Sequence, residues 1–168
     1  MQAMRLFIAL LLSFLVATPC FADTEPGSVV KAFYQSYMDQ MGQPGNWLKP
    51  LMEKNSAAIE PGLRDLLVKL SEGEPGGEAP WLDFDPLSNS QMGTEAFTVG
   101  AVKMKGSLAY VPVNIRYPHN PGPAQLAAHV VLRQSGGAWK IANLVYPARD
   151  GMASWDLLGY LKESFKIK

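Results

Sequence analysis

The spacing of apolar residues divides the chain into a helical first half and a second half of strands. Between residues 26 and 41, apolar side chains recur every three or four positions, which predicts an amphipathic helix. The same spacing predicts three further helices, over 47–54, 61–70 and 152–165. Alternating apolar and polar positions predict four strands, over 96–105, 107–117, 124–134 and 138–146.

Turn residues between these segments predict an antiparallel meander. The predicted turns lie at Gly106, at the proline-rich segment 118–123 and at Gly136-Gly137. A two-residue turn at Gly136-Gly137 predicts three opposite pairs: Gln134 with Trp139, Leu132 with Ile141, and Val130 with Asn143. Pairing of Tyr117 with Ala124 likewise predicts that Ile115 lies opposite Leu126 and Val113 opposite Ala128.

This register assigns the side chains of the strands to two faces. The predicted core face is apolar except for Asn143, and it contains Ala109, Val111, Val113, Ile115, Leu126, Ala128, Val130, Leu132, Trp139, Ile141 and Val145. The opposite face is mixed, and it contains Tyr110, Pro112, Asn114, Arg116, Gln125, His129, Val131, Arg133, Lys140, Leu144 and Tyr146. Such a face is too polar for a core and too apolar for an ordinary surface.

The first 22 residues predict a secretory signal peptide. Arg5 precedes an apolar run over 6–16, and Cys20 and Ala22 occupy the −3 and −1 positions of a cut after Ala22. The run is shorter than the about 20 residues that cross a bilayer, so no transmembrane segment is expected. In the alternative, Cys20 is a lipid anchor, which the preceding Pro19 disfavours. We therefore expect an exported, periplasmic protein with one mature domain over 23–168.

Removal of residues 1–22 changes the composition in two ways. The mature chain loses Cys20, the only cysteine, which excludes disulfides and thiol chemistry. Arg5 is the only charge lost, so 14 basic residues remain against 15 acidic ones. A chain without a basic excess is not expected to bind nucleic acid.

The acidic, glycine-rich segment 71–80 predicts a linker within the domain.

Three short motifs resemble those of the nuclear transport factor 2-like superfamily, and more narrowly the bacterial domain-of-unknown-function family 3828. They are Val-Val-Lys-Ala-Phe-Tyr at 29–34, Leu-Asp-Phe-Asp-Pro at 82–86 with Gln91, and Trp-Lys-Ile-Ala-Asn-Leu at 139–144. The resemblance implies an α+β fold with helices in the concave side of a curved antiparallel sheet. It also implies that this chain, like the members of that family, is exported. The family usually has an acidic residue where this chain has Asn143. A shared fold implies no shared function.

Seven residues are candidates for binding a small apolar ligand inside or at the mouth of that cone. Asn143 needs a polar partner on an apolar face, which a ligand, a water molecule or a helix backbone can supply. Tyr34 and Tyr37 on the first helix, with Trp47, are expected to line the same cavity, or alternatively to pack as ordinary core residues. Asp83, Asp85 and Gln91 are placed at the mouth. Alternatively, Asp85 caps a short turn that begins at Pro86, and Asp83 binds backbone N–H groups of the loop. Alternate oxygen ligands also suit Ca²⁺, but the loop lacks the glycine and glutamate of a helix–loop–helix site. We therefore predict no metal and no cofactor.

The mixed face is a candidate interface with a protein partner or with a second copy of the chain. Its candidate contact residues are Tyr110, Asn114, Arg116, His129, Arg133 and Tyr146, since aromatic residues and arginine suit interfaces. In the alternatives, the C-terminal helix covers this face or the face is ordinary surface. His129 has no acidic residue opposite it in the predicted register, so no catalytic residue is assigned.

These observations favour an exported, non-enzymatic binding or interaction module. One alternative is a small pocket enzyme of the isomerase or dehydratase type. A second is an exported immunity or inhibitor protein that neutralises a partner enzyme. The sequence identifies neither the ligand nor the partner.

Overall fold

The computed structural model describes residues 25–43, 45–73, 82–149 and 151–167 of the protein. The helices are α1 (Pro26–Met41), α2 (Leu48–Lys54), α3 (Pro61–Glu72) and α4 (Leu157–Ser164), with a 3₁₀ turn at Ser56–Ala58. The strands are β1 (Ala96–Val99), β2 (Lys103–Lys105), β3 (Leu108–Arg116), β4 (Gln125–Ser135), β5 (Ala138–Tyr146) and β6 (Trp155–Asp156). The predicted α+β class, with helices against an antiparallel sheet and a C-terminal helix, is confirmed. The predicted signal peptide lies outside the described residues.

One open antiparallel sheet contains all six strands. Its order is β1-β3-β4-β5-β6, and β2 also pairs with β3. The predicted strand over 96–105 is two strands, because the chain bends at Gly100, which lies against Pro112. A Cβ atom at Gly100 would lie 2.7 Å from Pro112 Cγ. Only glycine allows this close approach.

The predicted helix over 152–165 is shorter at its N-terminal end. Trp155 and Asp156 pair with Tyr146 and Val145 of β5 and so form β6. Asp156 then caps α4, because its side chain accepts a hydrogen bond from the Gly159 N–H at 2.8 Å. Both the strand and the cap fix the start of the helix at Leu157.

Two β-bulges change the predicted register. Gln134–Trp139, Leu132–Ile141 and Val113–Ala128 pair as predicted, but Val130 lies opposite Leu144, and Ile115 lies opposite Gln125. The irregularities fall at Ala142 in β5 and at Ala127 in β4, where one strand has an extra residue. One extra residue moves every later side chain to the other face of the sheet.

The core lies between the sheet and the helices. Helix α1 buries Val30, Phe33, Tyr34 and Tyr37 against it. The predicted core residues of β3, together with Ala128, Val130, Leu132 and Ile141, are buried. Leu126 and Val145 are half-buried, because Leu126 lies just before the bulge at Ala127, Val145 lies after the bulge at Ala142, and each pairs with a residue of the opposite face. The interior between α1 and the sheet is therefore filled by side chains.

The exposed edge of β5 is covered at three points. Glu60 N donates to Ile141 O at 2.8 Å, Asn143 contacts the start of α4, and β6 pairs with 145–146. This cover protects an edge that would otherwise offer unpaired backbone groups. Within the described residues, no helix has the length and apolar character needed to cross a membrane.

A candidate ligand-binding cleft beside a tyrosine-bound turn

The segment from Asp85 to Ser90 forms a tight, mostly buried turn. The Asp85 N–H donates to Ser90 O at 3.0 Å, and the Asn89 N–H donates to Asp85 O at 2.8 Å. The Asp85 carboxylate also accepts from the Leu87 N–H at 2.7 Å. Asp85 followed by Pro86 is a typical start for such a turn. The predicted capping role of Asp85 is therefore confirmed.

Three consecutive carbonyl groups of this turn each accept a hydrogen bond from a tyrosine. Tyr146 donates to Pro86 O at 2.8 Å, Tyr34 to Leu87 O at 2.9 Å, and Tyr117 to Ser88 O at 2.9 Å. Leu87 and Ser88 are fully buried, so these carbonyls have no access to water. Buried backbone acceptors need partners, and the tyrosines supply them.

A fourth tyrosine binds the side chain of the turn. The Tyr37 hydroxyl donates to Asp85 Oδ2 at 2.5 Å and lies 2.9 Å from Thr94 Oγ1. Burial raises the pKa of the Asp85 carboxyl, and the hydrogen bonds from Tyr37 and Leu87 oppose that rise. Burial and the nearby Asp85 charge raise the pKa of Tyr37 well above its ordinary value. Tyr37 therefore stays protonated and serves as a hydrogen-bond donor.

Two adjoining cavities open beside this turn. One, of about 420 Å³, lies between the turn and the helices α2 and α3, and the other, of about 500 Å³, extends towards Gln91 and Gly93. Of the described residues, Trp47, Leu82, Phe84 and Asp85 line both cavities. We call the two cavities together the Trp47–Asp85 cleft. Its described lining comes from helices and loops and includes no residue of β1–β6, so the cleft lies beside the filled interior.

The predicted binding residues divide between this cleft and other places. Asp85 lines both cavities, and Asp83 and Gln91 line the second one. Tyr34 and Tyr37 lie behind the turn, in the core, and line neither cavity. Asp83 is exposed and accepts no hydrogen bond from the described part of the chain.

Asn143 does not face the core, because the bulge at Ala142 turns it to the opposite side. Its Nδ2 donates to Asp156 Oδ1 at 2.7 Å, and its Oδ1 accepts from the Leu158 N–H at 2.9 Å. Asn143 thus joins β5 to the start of α4. The same bulge places the side chain of Tyr146 on the core face, so its prediction on the mixed face is wrong. Tyr146 is fully buried, and its hydroxyl binds the turn.

The other predicted interface residues lie on the outer face, the face of the sheet opposite the helices. Tyr110, Asn114 and His129 are half-buried, and Arg116 and Arg133 are exposed. Arg116 lies 3.3 Å from Glu95 in an exposed ion pair. Helix α4 packs against α3 and β5, with Lys69 Nζ 4.3 Å from the centre of the Phe165 ring. The C-terminal helix therefore packs on the helical side of the molecule.

Phe84 and Tyr117 contribute to the cleft and its support, but neither is among the residues predicted for the site. Phe84 stands in the 82–86 motif, between the two candidate aspartates, and its aromatic type was the available signal. Tyr117 follows β3 directly, and no local pattern indicates that its hydroxyl reaches the turn. No group of three or more His, Cys, Asp or Glu side chains suited to a metal ion lies in the part of the chain that the structure describes.

Comparisons of the chain with family models, with curated proteins and with solved structures found no match.

Proposed function

We propose that this protein is an exported, non-enzymatic binding module that holds a small ligand in the Trp47–Asp85 cleft. The proposal depends on one observation, that two cavities of about 420 and 500 Å³ share the walls Trp47, Leu82, Phe84 and Asp85. The first cavity has the volume of a typical ligand pocket and a mainly apolar lining, and the second is a more open and more polar extension of it. The sequence predicts a ligand inside the cone, between the helices and the sheet. Side chains fill that interior, so the proposed site lies beside the cone.

A rigid support behind the cleft favours binding. The Tyr37 ring lies 5.4 Å from the Trp47 ring, and the Phe84 ring lies 6.0 Å from those of Tyr146 and Trp155. These edge-on contacts fix the aromatic walls. The turn that carries Asp85 is fixed in the same way by four tyrosine hydroxyls. A preorganised site loses less entropy when a ligand binds.

An isomerase or dehydratase function has less support. General acid–base catalysis needs a titratable group within hydrogen-bond reach of the substrate. His129 lies on the outer face, away from the cleft, where burial and the nearby Lys103 and Lys105 lower its pKa. Asp85 lines the cleft, but no His, Lys or Tyr among the described lining residues stands beside it as a second proton donor or acceptor.

The binding proposal is tested with the neutral fluorescent probe N-phenyl-1-naphthylamine. We expect its emission to rise when the purified mature protein is added. Leu82→Asn places an amide on a shared wall of both cavities and should reduce this binding at least fivefold. Met104→Asn, a matched change at an exposed position, should leave it unchanged. Equal binding by the wild type and by Leu82→Asn, or no binding at all, would count against the cleft as the site.

The export part of the proposal depends on residues 1–22. N-terminal sequencing of protein recovered from the periplasm should begin at Asp23. Acylated Cys20 as the first residue would instead show a lipid-anchored form and would refute cleavage after Ala22.

A second candidate function is docking of an acidic protein partner on the outer face. Lys105, Leu108, Arg133 and Lys140 form one cross-strand row, and Lys103 belongs to the next row. None of the four cations forms an ion pair with a described residue. Two copies meeting through this face would bring like charges together, so an acidic partner suits it better than the homodimer considered above.

Charge reversal tests this second function. An acidic protein that copurifies with the wild type should be released by Arg133→Glu and kept by Arg64→Glu, which reverses a charge on α3. Retention by both variants, or a stable homodimer that Arg133→Glu leaves intact, would refute docking on this face.

A further inference from the structure

We propose that the ligand of the Trp47–Asp85 cleft is an organic ammonium ion with an apolar body. This inference rests on the proposed binding function and names the chemical class of its ligand. It combines three features of the cleft: a half-buried carboxylate with no counter-ion among the described residues, aromatic walls, and a described lining that contains no basic residue.

The first feature is the uncompensated charge of Asp85. Its carboxylate accepts hydrogen bonds from Leu87 and Tyr37, which are neutral donors. No described Lys, Arg or His forms an ion pair with it. Buried carboxylates are usually paired with a cation, because leaving water costs free energy that neutral donors restore only in part. A carboxylate has about four acceptor positions, so two remain for a ligand.

The charge of the described lining also favours a cationic ligand. Glu72, Asp83 and Asp85 line the two cavities, and no Lys, Arg or His is among the described residues that do so. Lys49 lies 2.6 Å from Glu72 in an exposed pair, which offsets that carboxylate. Asp83 and Asp85 therefore leave the cleft with a net negative charge, which repels anions and attracts cations.

Trp47 and Phe84 supply the aromatic part of the site. Both line both cavities, and tryptophan is the side chain whose ring binds a cation best. A neutral apolar ligand would displace water from Asp85 and leave its charge less solvated. An ammonium group placed against Asp85 restores that solvation, and an apolar body contacts Leu82 and the rings.

The test uses two probes of the same skeleton, 2-phenylethylammonium and 2-phenylethanol. Binding is followed at pH 7 by nuclear magnetic resonance, from the shifts of the Trp47 indole N–H and of the Leu87 amide. We expect the cation to bind at least tenfold more tightly than the alcohol. Asp85→Asn, which keeps an acceptor for Leu87, should reduce this preference to threefold or less. Asp83→Asn, at an exposed position, should reduce the preference for the cation less than Asp85→Asn does.

The outcomes separate this inference from the proposed function. If the alcohol shifts the same signals and binds as tightly as the cation, the ammonium inference is wrong and the cleft remains a binding site. If neither probe nor N-phenyl-1-naphthylamine affects the cleft residues, the proposed function fails as well. A wild-type titration covers the case in which Asp85→Asn fails to fold. The preference for the cation should fall as the pH is lowered and Asp85 takes up a proton, and an unchanged preference at pH 4 contradicts the inference.

Discussion

The hydroxyl of Tyr37 donates a 2.5 Å hydrogen bond to the carboxylate of Asp85, 48 residues further along the chain. This bond connects the core face of α1 to the residue that lines both cavities of the cleft. Tyr37 is fully buried, whereas Asp85 is half-buried. The stability of the fold and the charge of the proposed site are therefore coupled through one pair of side chains.

Tyr37→Phe should destabilise the protein by about 1.5–3 kcal/mol, because a hydrogen bond to a charged group is lost while the ring remains. Urea denaturation at pH 7 measures this change in the free energy of unfolding. Tyr110→Phe on the outer face is the control, since its ring keeps the contact with Lys105 and no buried partner is lost. A loss below 0.5 kcal/mol for Tyr37→Phe would show that the bond contributes little.

Asp85→Asn should change how stability depends on pH. The folded-state pKa of Asp85 is raised above its ordinary value, mainly by burial. The folded protein therefore binds the proton more tightly than the unfolded chain does. Stability from this group is fully present below the unfolded pKa and is lost as the pH rises through the folded pKa. Relative to Asp85→Asn, the wild type should gain stability as the pH falls from 7 towards 3.5.

Urea denaturation at several pH values measures this difference, with Asp83→Asn as a matched control at an exposed position. A wild type that instead loses stability relative to Asp85→Asn on acidification would indicate a lowered pKa and would contradict the burial argument.

Asn143→Leu should loosen α4 rather than empty a pocket. The substitution removes the hydrogen bonds to Asp156 and to the Leu158 N–H, at a cost of about 1–3 kcal/mol. Amide hydrogen exchange should accelerate most over 157–164, and ligand binding in the cleft should persist. Asn114→Leu, at a half-buried position without a hydrogen bond to a described side-chain partner, is the control. If Asn143→Leu abolished ligand binding and left amide exchange in α4 unchanged, Asn143 would be a pocket residue, as the sequence predicts.

Gly100→Ala should destabilise the protein by about 1–3 kcal/mol, because the new methyl group would lie 2.7 Å from Pro112 Cγ. Gly62→Ala is the matched control in α3. A Cβ atom there meets nothing within 4 Å, so alanine should stabilise the helix by up to about 1 kcal/mol. Thermal unfolding compares the two variants. Equal changes in both would show that the approach of Gly100 to Pro112 imposes no constraint.

Local patterns predicted the helices and strands well where the spacing of apolar side chains stayed regular along the whole element. The stripe from Val30 to Tyr37 predicted α1, and the alternation in β3 predicted its buried residues. The face of Asn143 and Tyr146 was wrong because a single extra residue, Ala142, reverses the alternation. No local signal marks that bulge, and the partners of Asn143 beyond it, Asp156 and Leu158, lie 13 and 15 residues further along the chain.

The candidate site was only partly predictable for a similar reason. The 82–86 motif drew attention to Asp85, whose preference for the start of a turn is a local property. The cleft itself requires α2, α3 and that motif to meet, and the described walls come from three separate parts of the chain. Side chains such as Trp47 and Phe84 acquire a shared role only through that packing.

The four tyrosines around the 85–88 turn also have a consequence for the folding pathway. Their hydrogen bonds join residues that lie between 29 and 60 positions apart, so they form only after α1, β3 and β5 have come together. Contacts of long sequence separation are slow to close. The turn is thus expected to become ordered after the main barrier, where losing a hydroxyl speeds unfolding more than it slows refolding. The lifetime of the native state, more than the speed of reaching it, then depends on these hydroxyl groups.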